Sequence, residues 1–139
     1  MTLRQDIIIQ QYASWQFVYT HRDTSGNPVD LTGWSAAASI KIQIGQTAVP
    51  RAYLSSGPDA NGGIITLGGA AGTVTMSMTP SQTKLLVWDF DLWAMLETGI
   101  RAIIRREVPL YWDLLLTDTN GNAYRALEGR ALIRRSVTP

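Results

Sequence analysis

The residues able to do chemistry are few and scattered. His21 is the only histidine and there is no cysteine, so the usual zinc site of several His and Cys ligands cannot be assembled and no thiolate nucleophile exists. A Ser-His-Asp arrangement is arithmetically open, but no serine stands in a Gly-x-Ser-x-Gly elbow. Asp89 and Asp91 would share a face of a strand, and glycoside hydrolysis needs two carboxylates facing each other across a cleft. They are embedded among Trp88, Phe90, Leu92 and Trp93, which reads better as a polar edge on an apolar segment. Asp118, Asn120 and Asn122 alternate oxygen-bearing side chains like the opening of a calcium loop. Such a loop requires Gly at its sixth position and Glu at its twelfth, whereas here Gly121 is fourth and Gly129 is twelfth. A turn is the expectation. The run from Gly62-Gly63 to Gly68-Gly69-Ala70-Ala71-Gly72 lacks the Gly-Lys-Ser/Thr ending of a phosphate loop and does not open a helix after a strand. This inventory predicts no enzyme, no metal and no cofactor.

What remains is basic and aromatic. Arg101, Arg105 and Arg106 form one dense cluster directly after Asp89, Asp91 and Glu97, with Arg134 and Arg135 as a second pair. A solvated face with local opposite charges is the plain reading. A docking surface is the sharper one, because Trp and Arg are over-represented at interface hot spots and the chain has five Trp in 139 residues. Trp88, Trp93, Arg101, Arg105 and Arg106 are therefore the candidate protein-contact residues.

The elements that must position these groups are mostly strands. From Leu110 to Ile133, two apolar-rich runs flank Asp118-Thr119-Asn120-Gly121-Asn122, a strong hairpin signal. Leu110, Trp112, Leu114 and Leu116 fall on one face of the first run, and Leu127, Ala131 and Ile133 share a face of the second with Gly129 in step. Residues 6 to 22 read as two strands, followed by the turn residues Asp23-Thr24-Ser25-Gly26-Asn27-Pro28. A third strand covers about Ala36 to Ile44, with Ile40, Ile42 and Ile44 on one face. A polar, small-residue region from Gly45 to Ala71 holds the short run Ile64 to Leu67, and Thr73 to Met78 is another strand. Thr79-Pro80-Ser81-Gln82 signals a helix start with a capping box, and a helix is expected from Pro80 to Val87. From Lys84 to Glu107 helical and strand spacings compete. Asp23-Thr24-Ser25-Gly26-Asn27 and Asp118-Thr119-Asn120-Gly121-Asn122 echo one another as two turns of the same chemistry. No fixed-period repeat accompanies them.

Composition bounds the rest. One domain, 1–139, is the simplest expectation at this length. Apolar residues make up 45% and charged residues 17%, below the usual quarter, so much of the surface is uncharged and open to protein contacts. A formal charge of +1 gives no electrostatic reason to expect nucleic acid or a membrane surface as partner. Ile7 to Ile9 is too short for a signal-peptide core and no run approaches a membrane span, so a soluble protein is expected.

Assembled in order, these stretches resemble a family of small virion-associated proteins of tailed bacteriophages, itself similar to the immunoglobulin-like N-terminal domain of phage baseplate upper proteins. The matching residues run from Asp23 through Pro28 to Val29-Asp30-Leu31-Thr32-Gly33-Trp34, then Gly63-Ile64-Ile65-Thr66-Leu67-Gly68 and Gly72-Thr73-Val74-Thr75-Met76 before Thr79 to Thr83. They close with Tyr111-Trp112-Asp113-Leu114-Leu115-Leu116 to Gly121 and Tyr124-Arg125-Ala126-Leu127-Glu128-Gly129-Arg130. The chain departs from the family at 84–109, where such proteins have a much shorter link. The resemblance implies an immunoglobulin-like antiparallel β-sandwich with one short helix and an inserted segment near 84–109. It implies a non-enzymatic structural component of the virion, made in the host bacterial cytoplasm. Such a component docks in several symmetric copies to neighbouring virion proteins at the tail, baseplate or fibre attachment. A head decoration or head-to-tail connector protein is the structural alternative. A carbohydrate-binding module, with exposed Trp stacking on host-surface sugars, is the alternative from another class.

Overall fold

In the computed structural model the described residues are 2–42, 52–58, 62–86 and 107–134. The period-two stretches become strands: β1 (Leu3–Arg4), β2 (Ile7–Gln10), β3 (Trp15–Thr20), β4 (Ser35–Lys41), β5 (Ala52–Ser55), β6 (Gly63–Leu67), β7 (Thr73–Met78), β8 (Glu107–Thr117) and β9 (Ala123–Arg134). The one short helix among them is α1 (Pro80–Lys84), and a 3-10 turn (Gly69–Ala71) joins β6 to β7. The sheet path is β1-β9-β8-β4-β5-β6-β7-β3, with β2 also on β9. It curls into two layers, β9-β8-β4-β5 and β6-β7-β3, the partition of an immunoglobulin-like sandwich, with the N-terminal strands laid against β9. Phe17 on β3 meets Trp112 on β8 edge-to-face at 6.0 Å, a contact across the layers.

The pairing is mixed rather than wholly antiparallel. β1 and β2 run parallel to β9, as strands from opposite ends of the chain are free to do when no hairpin joins them. A two-residue parallel link, Leu54 beside Gly63 and Ser55 beside Ile64, ties β5 to β6 and joins the two layers.

The closing hairpin folds as its pattern predicts. Leu110, Trp112, Leu114 and Leu116 are buried, as are Leu127, Ala131 and Ile133. A bulge between Leu114 and Leu115 skips one residue of β9, so Ala126 and Leu127 are both buried where strict alternation would bury one. The third strand is shorter than its isoleucines suggest. Its inward face is Ala36, Ala38 and Ile40, it ends at Lys41 opposite Tyr111, and Ile42, past the last pair, is exposed. Ile44 lies outside the described residues. The polar region also hides a strand, β5, whose Ala52 and Leu54 point inward.

The helix starts as expected and stops early. Thr79 Oγ1 accepts from the Gln82 N–H at 3.3 Å, and Gln82 Oε1 accepts from the Thr79 N–H at 2.9 Å. Thr83, fully buried, donates its hydroxyl to the Ala13 carbonyl at 2.9 Å, pinning the helix to the turn between β2 and β3. The Leu85 and Leu86 N–H groups then bond carbonyls three residues back, a tightened turn that buries Leu86 and leaves Leu85 out. Val87 and 88–106 lie outside the described residues, while 107–109 belong to β8 rather than to an insertion.

Candidate functional site

Topology brings the β3–β4 connection, the 3-10 turn and the β8–β9 turn to one end of the sandwich. The Leu31 N–H bonds the Gly69 carbonyl, the His21 N–H bonds the Gly72 carbonyl, and the Val29 N–H bonds the His21 carbonyl, each at 2.8–2.9 Å. A methyl group on Gly33 would stand 3.0 Å from the Thr119 side chain, so the first connection also abuts the last turn.

Two turns of one chemistry frame this end. Asp23 Oδ1 accepts from the Ser25 and Asn27 N–H groups, at 2.9 and 3.0 Å. Asp118 Oδ1 accepts from the Asn120 and Asn122 N–H groups, both at 2.9 Å. Gly26 and Gly121 each hold φ +84°, the left-handed region that glycine enters without penalty. The oxygens of Asp118 that suggested a calcium loop are thus engaged by the turn itself, and Oδ2 accepts the Tyr124 hydroxyl at 3.0 Å.

Between the turns run four rings. Tyr19 and His21 lie 6.0 Å apart, His21 and Trp34 6.0 Å, and Trp34 and Tyr124 6.2 Å with planes 27° apart. Tyr124 is 46% exposed; Trp34 is half-buried against the core. The Tyr19 hydroxyl and His21 Nδ1 share a hydrogen bond at 3.1 Å. Burial lowers the His21 pKa and raises that of Tyr19, so both are neutral near pH 7. This row offers flat apolar area with a polar rim, suited to burial against a partner surface.

Asp118 gives the end a pH dependence. Its pKa is lowered, chiefly by the Asn122 N–H, while desolvation opposes and Tyr124 adds to the lowering; accepting from Tyr124 in turn raises the phenol. A carboxylate with a depressed folded-state pKa contributes stability above its unfolded value and loses it as pH falls through the folded one. An NMR titration is expected to place the Asp118 midpoint below the ordinary 3.8. The Asn122 amide and the Tyr124 ring are expected to move with that midpoint as the turn loosens. A midpoint at or above the ordinary value contradicts this geometry.

The residues named from sequence fare differently. Trp88, Trp93, Arg101, Arg105 and Arg106 lie outside the described residues, as do Asp89 and Asp91. Arg134 ends β9, and Arg135 lies outside. Sequence reading missed the ring row, although each member sits beside turn residues at the tip of β3, β4 or β9. Antiparallel strands put such tips together.

No described protein family and no curated protein matches the sequence. Among solved structures, one similar chain comes from a study of multimeric cell-adhesive interactions of VGSC beta subunits. It is 10% identical, with 96% of this chain and 92% of that chain covered, at a TM-score of 0.40. No helix among the described residues is long and apolar enough to cross a membrane.

Proposed function

We propose that this protein is a structural component of a tailed-phage particle that docks through the loop end of its sandwich to neighbouring virion proteins at the tail, baseplate or fibre attachment. One observation carries the reading. Of the stretches on which the phage resemblance rests, 23–34, the junction of 63–68 with 72–76 and the turn to Gly121 with Tyr124 meet at this end, where Trp34 and Tyr124 stack. Residues 79–83 and the strand portions of 111–116 and 125–130 lie elsewhere in the sandwich. Hydrogen-bonded turns hold the rings in place before any partner arrives, so little freedom is lost on docking. Weak individual contacts suffice because repeated copies multiply them. The segment at 88–106, with Trp88, Trp93, Arg101, Arg105 and Arg106, is proposed as a second contact particular to this protein.

The test replaces the two stacked rings, the exposed Tyr124 and the half-buried Trp34: Tyr124→Ser and Trp34→Ser, singly and together, in phage that carry the gene. Incorporation of the double variant is expected to fall by about tenfold, the loss of one interface anchor or more, with an unchanged circular dichroism spectrum. Full incorporation of a folded double variant removes the loop end from the docking surface.

The stacked Trp34–Tyr124 pair also favours a second reading, a carbohydrate-binding module that recognises a host surface. Among the described residues, buried Trp112 and half-buried Trp15 and Trp34 offer less exposed ring area than a sugar platform would use. Glycan-array binding abolished by Tyr124→Ser would support it.

A further inference from the structure

The sandwich has one edge defended by charge and one that is not. At the β1–β2 edge stand Arg4 and Asp6, paired at 3.8 Å, charges of the kind that keep an edge from accepting another strand. The opposite edge is β3, Trp15-Gln16-Phe17-Val18-Tyr19-Thr20, six residues without a charge, a proline or a glycine. It ends the sheet path, and among the described residues only β7 pairs with it. The His21 N–H bonds the Gly72 carbonyl. Ladder bonds alternate along an antiparallel strand, so Trp15, Phe17 and Tyr19 commit their backbone groups to β7. Those of Gln16, Val18 and Thr20 face outward along the free edge. The inward row, Trp15, Phe17 and Tyr19, is only half-buried, with Trp15 and Phe17 stacked at 6.4 Å; Val18 on the outer row is 53% exposed.

We propose that β3 pairs antiparallel with β3 of a second copy about a two-fold axis at Val18, making one sheet continuous through both copies. The occupant follows from the strand's own pattern. Placing Val18 opposite Val18 sets the two exposed apolar side chains together and Gln16 opposite Thr20. On the inward face Phe17 comes opposite Tyr19 of the second copy, and Trp15 opposite its His21. Like meets like at every position, as cross-strand pairs prefer. Shifting the axis to Phe17 would set Gln16 against Val18 instead. With no charge on the strand, two identical edges meet without repulsion, and a two-fold contact is the commonest way identical chains associate. The Val18 groups that would bond across the axis are those β7 leaves free. The inference deepens the multi-copy reading above and rests on it only for where the dimer would be used. An interface confined to one strand and its flanking rings falls at the small end of specific contacts, below about 1,200 Å², so a dissociation constant on the order of 10 µM is expected.

The experiment is sedimentation equilibrium on the full chain with two variants, Val18→Lys on the edge strand and Ile64→Lys on the same outer face but off the edge. Ile64 is 58% exposed, so the control is equally tolerable to the fold. The parent and Ile64→Lys are expected to dimerise alike, while Val18→Lys weakens the dimer at least tenfold, with the thermal midpoint unchanged when both are read at dilutions where each is monomeric. The chain has no cysteine, so Val18→Cys supplies a unique thiol. Hydrogen-bonded antiparallel partners stand about 5.5 Å apart at Cα, within disulfide reach, and mild oxidation is expected to cross-link Val18→Cys but not Ile64→Cys. A parent that stays monomeric at about ten times that dissociation constant overturns the proposal, as does a Val18→Lys protein that dimerises as tightly as the parent. A monomer found in virions removes the edge pairing and keeps the phage reading; a dimer absent from virions does the reverse.

Discussion

Trp112→Ala is expected to lower the unfolding free energy by about 3–5 kcal/mol, the range for truncating a buried aromatic residue. Trp112 is 4% exposed and sits between the layers, its ring edge-to-face with Phe17. Its Nε1–H donates to the Gln5 carbonyl at 2.8 Å, fastening the start of the chain to β8. Removing the side chain opens a cavity between the layers and strips that carbonyl of its partner. Urea denaturation followed by circular dichroism reads the loss. Trp112→Phe, which keeps a ring but not the N–H, is expected to cost less than half as much. A loss below about 1 kcal/mol for the alanine variant, the scale of an ordinary surface substitution, would mean that the layers are not joined through this residue.

Gly129→Val is the second large effect, expected at about 2–4 kcal/mol from overpacking plus broken backbone bonds. Gly129 stands opposite Trp112 in the hairpin, and the Gln5–Asp6 backbone crosses directly over it. A Cβ there would meet the Gln5 carbonyl oxygen, and would lie 2.8 Å from Asp6 Oδ1. Around this crossing the Gln5 N–H bonds the Glu128 carbonyl at 2.8 Å, and Asp6 Oδ1 accepts the Arg130 N–H at 2.9 Å. A side chain cannot share that space with backbone, so the N-terminal strands must lift from β9. Hydrogen exchange of the Ile7 and Ile9 amides is expected to speed up far more than that of Met76 on β7. Equal acceleration everywhere would instead indicate global destabilisation. Because Trp112 and Gly129 grip the same segment, the double variant should lose less than the sum of the two.

Much of this was readable from the chain. The closing hairpin, the two early strands, the strand at 73–78 and the capping box announce themselves, because turn chemistry and alternation are local signals. β5 was not readable: Ala52-Tyr53-Leu54-Ser55 is four residues in a Gly- and Ser-rich stretch, and becomes a strand through its pairing with β4. Nor was the parallel placement of β1 and β2, which depends on a partner more than a hundred residues away in sequence. The ring row is an intermediate case. Each of its members lies beside a turn that the sequence marks, but their meeting depends on which strand tips share an end. Sequence reading named the aromatic and basic residues of the segment at 84–109 because their types cluster along the chain; Tyr19 and His21 meet Trp34 and Tyr124 only in space.

The proposed place of this chain in the virion predicts that it co-purifies with phage particles. Quantitative mass spectrometry of purified phage particles, counting it against the major capsid protein, tests that most directly. A few to some dozens of copies per particle is the expected result and fits the tail, baseplate or fibre attachment. Hundreds of copies would move the protein to the head surface, and none at all would contradict the claim.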